Sequence, residues 1–385
     1  MSTYTLLNAG RIIAGPGSIE SIKDVVADVG ATKVLIITDK GVAGAGLIEK
    51  PKAILENAWV GVAVIDNTPP EPDVEQVNAI LAAARPHAPQ LVVGIGGGSA
   101  MDVAKIVAVL LQEDIALRDL LTGKARIARR GVPTLMVPTT AGTGSETTPN
   151  SIILVPEDEL KVGIVSPRLM PDCVILDPEL TVGLPPAITA STGMDALCHA
   201  IECYTSKKSN PFSEMLALKA ITLIARSIRT AFADGKNLDA RHDMLLGAMY
   251  GGMCIATSST TAVHALAYPL GGKYRIAHGI SNAILLPFVM RFNVVGNEKK
   301  FGDIAAAMGL DVASKTAQEA ASAMIDALFA LNRDLQIPAD LKRWNITDAD
   351  LETLVAGAAK VTRLLDNNPR PMDKAAIRAI YSQLV

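Results

Sequence analysis

The feature that most constrains this chain is a change of period at Leu184-Pro185-Pro186. Before it, short β-branched runs alternate with helical stretches; after it, apolar positions recur at helical spacing almost to Val385. Alternating strands and helices build a parallel sheet with helices on its faces, whereas the second pattern builds a helical bundle. Two domains are therefore expected, an α/β domain over residues 1–186 and an all-helical domain over residues 187–385. A length of 385 residues exceeds the size at which one core usually stops growing, in agreement.

In the first half, residues 33–39 and 59–67 read as strands separated by a helix at 47–57, a βαβ unit. A helix over 73–84 follows, then a third buried strand at 91–95 that runs straight into Gly96-Gly97-Gly98-Ser99. Glycines let the backbone approach a ligand closely, and the helix opened at Ser99 offers free N–H groups and a positive dipole end to a pyrophosphate. The run is neither G-x-G-x-x-G nor a P-loop, and plain turn geometry explains such a turn about as often. Asp39 ends an earlier strand, where a carboxylate accepts from ribose hydroxyls and repels a 2′-phosphate; NAD rather than NADP is expected. Residues 133–138 form a strand followed by the hydroxyl- and glycine-dense Thr139-Thr140-Ala141-Gly142-Thr143-Gly144-Ser145-Glu146. Residues 152–155 and 161–165 read as a hairpin, and 173–176 as a last strand.

In the second half, helices are expected at 187–204, 211–233, 238–258, 260–270, 281–292, 298–308, 314–332 and 347–363. Four of the five histidines lie in this half, and three of them, His199, His264 and His278, stand in apolar surroundings where an unpartnered imidazole is costly to bury. Asp195 and His199 are four residues apart and share a helix face. His278 follows Gly271-Gly272, read as a turn that folds the chain back. One carboxylate and three imidazoles suit Fe²⁺ or Zn²⁺. Cys198, beside His199, is read as a small core residue on another helix face. With nucleotide elements before the boundary and metal residues after it, the active site is expected in the cleft between domains.

A formal charge of −3 with 19% charged residues gives no footprint for nucleic acid or an anionic membrane. Mean hydropathy is high at +0.30, yet the apolar runs are short, so no membrane span is read. Met1-Ser2-Thr3-Tyr4-Thr5-Leu6-Leu7 lacks a basic segment followed by an apolar core, and no signal peptide is expected. Four cysteines without a CxxC pair suit a reducing, cytoplasmic setting. Apolar helices poor in aromatics suggest an oligomer interface.

The sequence resembles the iron-containing (group III) alcohol dehydrogenases over essentially its full length. The resemblance is carried by Gly96-Gly97-Gly98-Ser99-x-x-Asp102-x-Ala104-Lys105, residues 138–146, Gly193-x-Asp195-Ala196-x-x-His199-Ala200-x-Glu202, His264-Ala265-x-Ala267, His278-Gly279 and Asn368-Pro369-Arg370. It implies a dehydroquinate synthase-like two-domain fold, Rossmann-like then helical, and metal ligands at Asp195, His199, His264 and His278. It also implies NAD contacts at Asp39, Gly97, Gly98, Ser99, Thr139, Thr140, Thr143 and Lys161, small alcohol or aldehyde substrates, and a homodimer or larger homo-oligomer.

Where the family has a second histidine four residues after the first, this chain has Tyr268, followed by Pro269. That pair looks more like the 4-hydroxybutyrate dehydrogenase and hydroxyacid-oxoacid transhydrogenase branch. Tyr268 and His278 are the expected catalytic residues; a tyrosine, with an ordinary pKa of about 10, needs strong perturbation to act as a base. Lys273 and Arg275 could pair with an acidic substrate tail, although surface charge is the commoner role for such loop residues. The scaffold also resembles dehydroquinate synthase, a lyase that recycles NAD, but no basic cluster for a phosphorylated sugar acid accompanies the metal residues.

Overall fold

The computed structural model of the protein describes residues 3–158 and 160–385. The chain forms two compact units, one of Leu7–Thr140 and Gly144–Gly183, the other of Leu184–Val385 with Ala141–Thr143 and residues 3–6.

The first unit holds β1 (Arg11–Ala14), β2 (Lys33–Ile37), β3 (Gly61–Ile65), β4 (Leu91–Gly96), β5 (Thr134–Pro138), β6 (Asn150–Val155), β7 (Leu160–Val165) and β8 (Cys173–Leu176). Six of them make a parallel sheet in the order β1-β8-β5-β4-β2-β3, and β6 and β7 pair as the expected antiparallel hairpin. The central strands are unbroken apolar runs because both faces of the sheet are covered. Leu35, Ile37 and Val92 pack on one side, and Val34, Ile36, Val93 and Ile95 on the other. The coverings include α1 (Ile22–Val29), α2 (Lys40–Gly44), α3 (Glu49–Asn57), α4 (Val74–Ala84), α5 (Gly98–Leu110) and α6 (Leu117–Leu121).

Strand β2 is flanked by β3 and by β4, so the winding reverses there. A crevice opens beyond the carboxyl ends at such a switch point. Asp39 follows β2 and the glycine turn follows β4, so both stand at that crevice.

A buried ionic knot ties α5 to the chain beyond β5. Lys105 Nζ lies 2.9 Å from Asp102 Oδ1 and donates to Ser145 Oγ at 2.7 Å and the Ser145 carbonyl at 2.9 Å. Asp102 also accepts from the Ser145 hydroxyl and, at 2.9 Å, from the Ile152 amide at the start of the hairpin. Glu146 is buried beside this knot.

The second unit is helical: α7 (Pro186–Thr205), α8 (Pro211–Ala233), α9 (Leu238–Ser258), α10 (Ala262–Tyr274), α11 (His278–Asn293), α12 (Glu298–Ala307), α13 (Ala317–Asp334), α14 (Leu351–Ala359), α15 (Thr362–Leu365) and α16 (Lys374–Tyr381). Helices α7, α8 and α9 meet closely at Gly193, where an added Cβ would stand 2.7 Å from Met244 and 2.8 Å from Ile228. Among the described residues, no helix is long and apolar enough to cross a membrane.

Three expectations need correction. Gly271 and Gly272 lie inside α10 rather than in a turn; the chain folds back after Tyr274, where Arg275 adopts a left-handed conformation (φ 53°) that caps the helix. The run read as one helix over 347–363 is a 3₁₀ turn at Asp348–Asp350, then α14, then α15, because the helix ends at Lys360. The four-residue edge strand β1 and the eight-residue helix α16 fall outside the expected elements because each is short, although α16 buries a clear apolar face of Ile377, Ile380 and Tyr381.

Candidate active site

Helix α7 starts on Pro186, whose ring suits a first-turn position, and carries Asp195 and His199 one turn apart. Helix α10 brings His264 and, one turn on, Tyr268. His278 is the first residue of α11, and Asn282 stands one turn beyond it. Gly279 makes this docking possible, since an added Cβ there would lie 2.2 Å from the Ser191 carbonyl oxygen of α7.

These helices bring the four sequence candidates together. The Nε2 atoms of His199, His264 and His278 each lie 3.8 Å from Asp195 Oδ1. The His199 and His264 rings stack at 4.7 Å between centroids, and His264 meets His278 edge-on at 5.2 Å. The side chains of Asp195, His199 and His264 are 4–6% exposed and that of His278 28%, so the site opens on the His278 side.

The donor set fits a divalent cation. Four N and O ligands at about 2.1 Å from one tetrahedral ion stand about 3.5 Å from each other, close to the separations here. The group that faces these acceptors is the Asn282 amide NH₂, the positive end of a dipole. Its nitrogen lies 2.7 Å from Asp195 Oδ1 and 3.2 Å from Nε2 of both His264 and His278. Its own Oδ1 is buried without a hydrogen-bond partner.

The electrostatics of Asp195 and His199 agree, whereas at His264 burial lowers the imidazole but Glu202 and Asp195 outweigh it and raise it. Burial pushes the Asp195 carboxyl up, but the charges of His199, His278 and His264 and the Asn282 hydrogen bond outweigh it, bringing it down to about 2. Asp195 is thus a carboxylate. Burial lowers His199, which favours the neutral, metal-binding imidazole. Tyr268 lies with its ring centroid 6.3 Å from that of His278, and burial raises its hydroxyl above the ordinary value.

Cys198 is nearer the site than its assignment to another face implied: its Sγ lies 3.9 Å from His264 Nδ1, on the side of the ring away from Nε2. Three residues after Asp195 on a helix is an adjoining position, not an opposite one. Reasoning from sequence also gave no role to Asn282 or to Glu202, which takes His264 Nδ1 at 2.5 Å. Their positions four residues after His278 and three after His199 were the signal available.

In the first unit, Asp39 caps α2 by accepting from the Val42 amide at 2.9 Å, so it serves as a turn aspartate with one of its oxygens. Gly97 caps α5, and Gly98 and Ser99 open it. The Ser99 hydroxyl accepts from the Glu71 amide at 3.2 Å, and Glu71 in turn pairs with Lys161 at 2.6 Å. The Thr139 amide donates to the Gly96 carbonyl at 2.9 Å, and Thr140 lies against Gly97. Six of the expected cofactor residues thus surround the glycine turn or the strand ends beside it, and Lys161 joins through Glu71. Thr143 belongs to the segment grouped with the helical unit.

Comparison with known proteins gives one answer. Residues 9–178 match the iron-containing alcohol dehydrogenase model and residues 189–385 the model of the C-terminal region of the Fe-containing alcohol dehydrogenase family. Long-chain-alcohol dehydrogenase 1 of Geobacillus thermodenitrificans is 39% identical over 383 residues, 97% of this chain and 96% of that protein. A solved 1,3-propanediol oxidoreductase superposes with a TM-score of 0.95 at 35% identity, covering 100% of both chains. Sulfoacetaldehyde reductase from Bifidobacterium kashiwanohense, solved with NAD⁺, gives 0.89 at 30% identity over 100% of this chain and 99% of its own. A parallel-sheet unit with a glycine turn at its switch point, a helical unit that gathers one aspartate and three histidines, and full-length matches together show that this chain belongs to the iron-containing alcohol dehydrogenase family.

Proposed function

We propose that the protein interconverts an alcohol with its aldehyde or ketone, using NAD(H) and a divalent ion held by Asp195, His199, His264 and His278, Fe²⁺ in the first instance and Zn²⁺ as the alternative. The observation that carries this reading is the convergence of three imidazole Nε2 atoms, each 3.8 Å away, on one carboxylate oxygen. When bound, the ion supplies Lewis acidity toward a hydroxyl or carbonyl oxygen, and the dinucleotide supplies the hydride acceptor or donor.

The chain's own groups do the positioning. Substrate reaches the site from the His278 side, the one with solvent access. Tyr268 keeps its proton, because burial holds its pKa high, and so orients the substrate oxygen or a water rather than acting as base. Around the glycine turn, the α5 N-terminus receives the pyrophosphate, with Gly97, Gly98, Ser99, Thr139 and Thr140 lining it, and the family resemblance adds Thr143 as a contact of the same cofactor. Lys161 and Asp39 serve the same cofactor, the free Asp39 oxygen taking the ribose.

A hydroxy acid such as 4-hydroxybutyrate belongs to this reading. Helix α15 packs against α10, and the charge of its Arg363 acts on both Tyr268 and His264. Lys273 instead sits over the Tyr274 ring at 5.2 Å, and Arg275 ends α10. A cytoplasmic homodimer or larger homo-oligomer is part of the reading too, supported by the exposed Phe212 and Met215 on α8 and by Tyr4, which meets Phe212 edge-on at 5.6 Å.

The test is NAD⁺ reduction with Fe²⁺ or Zn²⁺ added, across simple alcohols, diols and ω-hydroxy acids, beside His264→Ala. Metal-dependent NADH formation that the variant loses is the expected result. Metal and NAD bound with no turnover of any alcohol would refute it and favour a lyase that recycles NAD.

A further inference from the structure

We propose that Glu202 is a positioning residue that fixes the tautomer of His264 and thereby sets the affinity of the site for its ion; this rests on His264 being a ligand, as proposed above. Glu202 is fully buried and stands on α7, less than one turn beyond His199. Its two oxygens meet donors from Thr261, Val263 and His264, and the Cys198 thiol also hydrogen-bonds to this carboxylate. Oε1 accepts from the Thr261 hydroxyl at 2.7 Å and the Val263 amide at 2.6 Å, and Oε2 takes His264 Nδ1 at 2.5 Å.

Each of these bonds has a structural origin. The Val263 amide lies in the first turn of α10, where N–H groups lack intrahelical partners. Thr261 precedes that helix and makes no side-chain cap of its own. The carboxylate from α7 therefore caps α10 from across the bundle. Two residues before Thr261, Ser259 occupies a positive φ of 75°, unusual for a residue with a side chain, so this connection is held by its surroundings.

The chemical consequence falls on the imidazole. With both Glu202 oxygens acting as acceptors, His264 carries a proton on Nδ1, which leaves the Nε2 lone pair of the neutral ring directed toward Asp195 and the ion site. An ionised carboxylate is the one side chain of this shape that accepts on both oxygens. Glutamine in its place must turn an NH₂ toward one side. Facing His264, that NH₂ would need Nδ1 as acceptor and would move the ring proton to Nε2. Facing Thr261 and Val263, it would oppose the backbone N–H. Cys198, whose Sγ lies 3.9 Å from Nδ1, is too distant and too weak an acceptor to substitute.

Cys198, Glu202 and His264 bring ligand atoms within 4.8 Å of one another, and in the arrangement seen here Glu202 and His264 are paired to each other.

The test is competition for Zn²⁺ between a chromophoric chelator and the metal-free full-length protein, in wild type, Glu202→Gln, Thr261→Val and His264→Ala, with circular dichroism reporting the fold. The expected result is a loss of about 10- to 100-fold in Zn²⁺ affinity for folded Glu202→Gln and a much smaller change for Thr261→Val, which keeps the bond to His264. Wild-type affinity in folded Glu202→Gln overturns the proposal while leaving the ligand assignment intact. Equal losses in Glu202→Gln and Thr261→Val overturn it in favour of a role confined to the turn. If His264→Ala binds Zn²⁺ as well as wild type, the ligand reading itself fails. Should Glu202→Gln not fold, NMR of the Co²⁺-loaded wild type decides. A shifted, slowly exchanging His264 Nδ1 proton supports the assignment, and its absence overturns it.

Discussion

Replacing Glu146 with glutamine isolates the effect of a carboxyl group sealed inside the first unit. Burial pushes this carboxyl up; its own backbone amide and the charge of Lys105 pull it down, and the result is about 7 against an ordinary 4.5. The raised value fixes the sign. Below pH 4.5 the group is protonated whether the unit is folded or not and affects stability little. Between 4.5 and about 7 the unfolded chain ionises first, so stability is lost; above about 7 both forms are ionised and the loss is constant. A separation of that size corresponds to about 3 kcal/mol, of which about 2 kcal/mol or slightly more falls between pH 5 and 8. Glutamine does not titrate, so the variant should gain that much on wild type across the interval. Native-state hydrogen exchange of the β4 and β5 amides, read for both proteins at matched pH, reports the stability of this unit alone. A difference that stays flat from pH 5 to 8 would refute the reasoning, and one that narrows would mean that Lys105 holds Glu146 as an ion.

Three further outcomes follow from the geometry. Gly279→Ala places a Cβ 2.2 Å from the Ser191 carbonyl oxygen, so α11 must retreat from α7 and take His278 with it; Zn²⁺ affinity should fall by about tenfold or more, and an unchanged affinity would show the docking to be pliable. Asp39→Ser keeps an acceptor for the Val42 amide but removes the charge after β2, so the kcat/KM ratio of NADP⁺ to NAD⁺ should rise by about tenfold, and a constant ratio would take Asp39 out of cofactor choice. In Tyr268→Phe the pH dependence of kcat should keep its shape, since burial raises the hydroxyl away from the working range; a lost basic limb would restore Tyr268 as the proton acceptor.

Much of this was legible in the sequence wherever one residue type could serve only one purpose. Beyond the exposed Lys33, the runs of β2 and β4 are continuously apolar because helices cover both faces, which marks a buried parallel strand. Asp195 and His199 announce a shared site through their spacing on α7. The crossings that bring α10 and α11 to that helix were not legible, because they depend on contacts such as Gly279 against Ser191, distant in the chain. The Gly271-Gly272 pair misled for the opposite reason: glycine signals a turn locally, but here both residues lie within α10, and a left-handed arginine makes the turn. Glu202 was visible in a motif, yet its task depends on donors that arrive from residues 261–264, and no pattern within α7 specifies them.

Helix α7 carries two of the four gathered donors together with the carboxylate that steadies a third. Release of a bound ion would therefore have to free two ligands fixed on one helix, along with those on α10 and α11. A competing chelator strips a metal quickly when ligands can detach one at a time, each on its own flexible loop. Here the central turns of α7 are buried among α8, α9 and α11, so they cannot fray without breaching the core. The lifetime of the bound ion would then be governed by the fluctuations of the bundle, and saturating chelator would remove it no faster than those fluctuations permit.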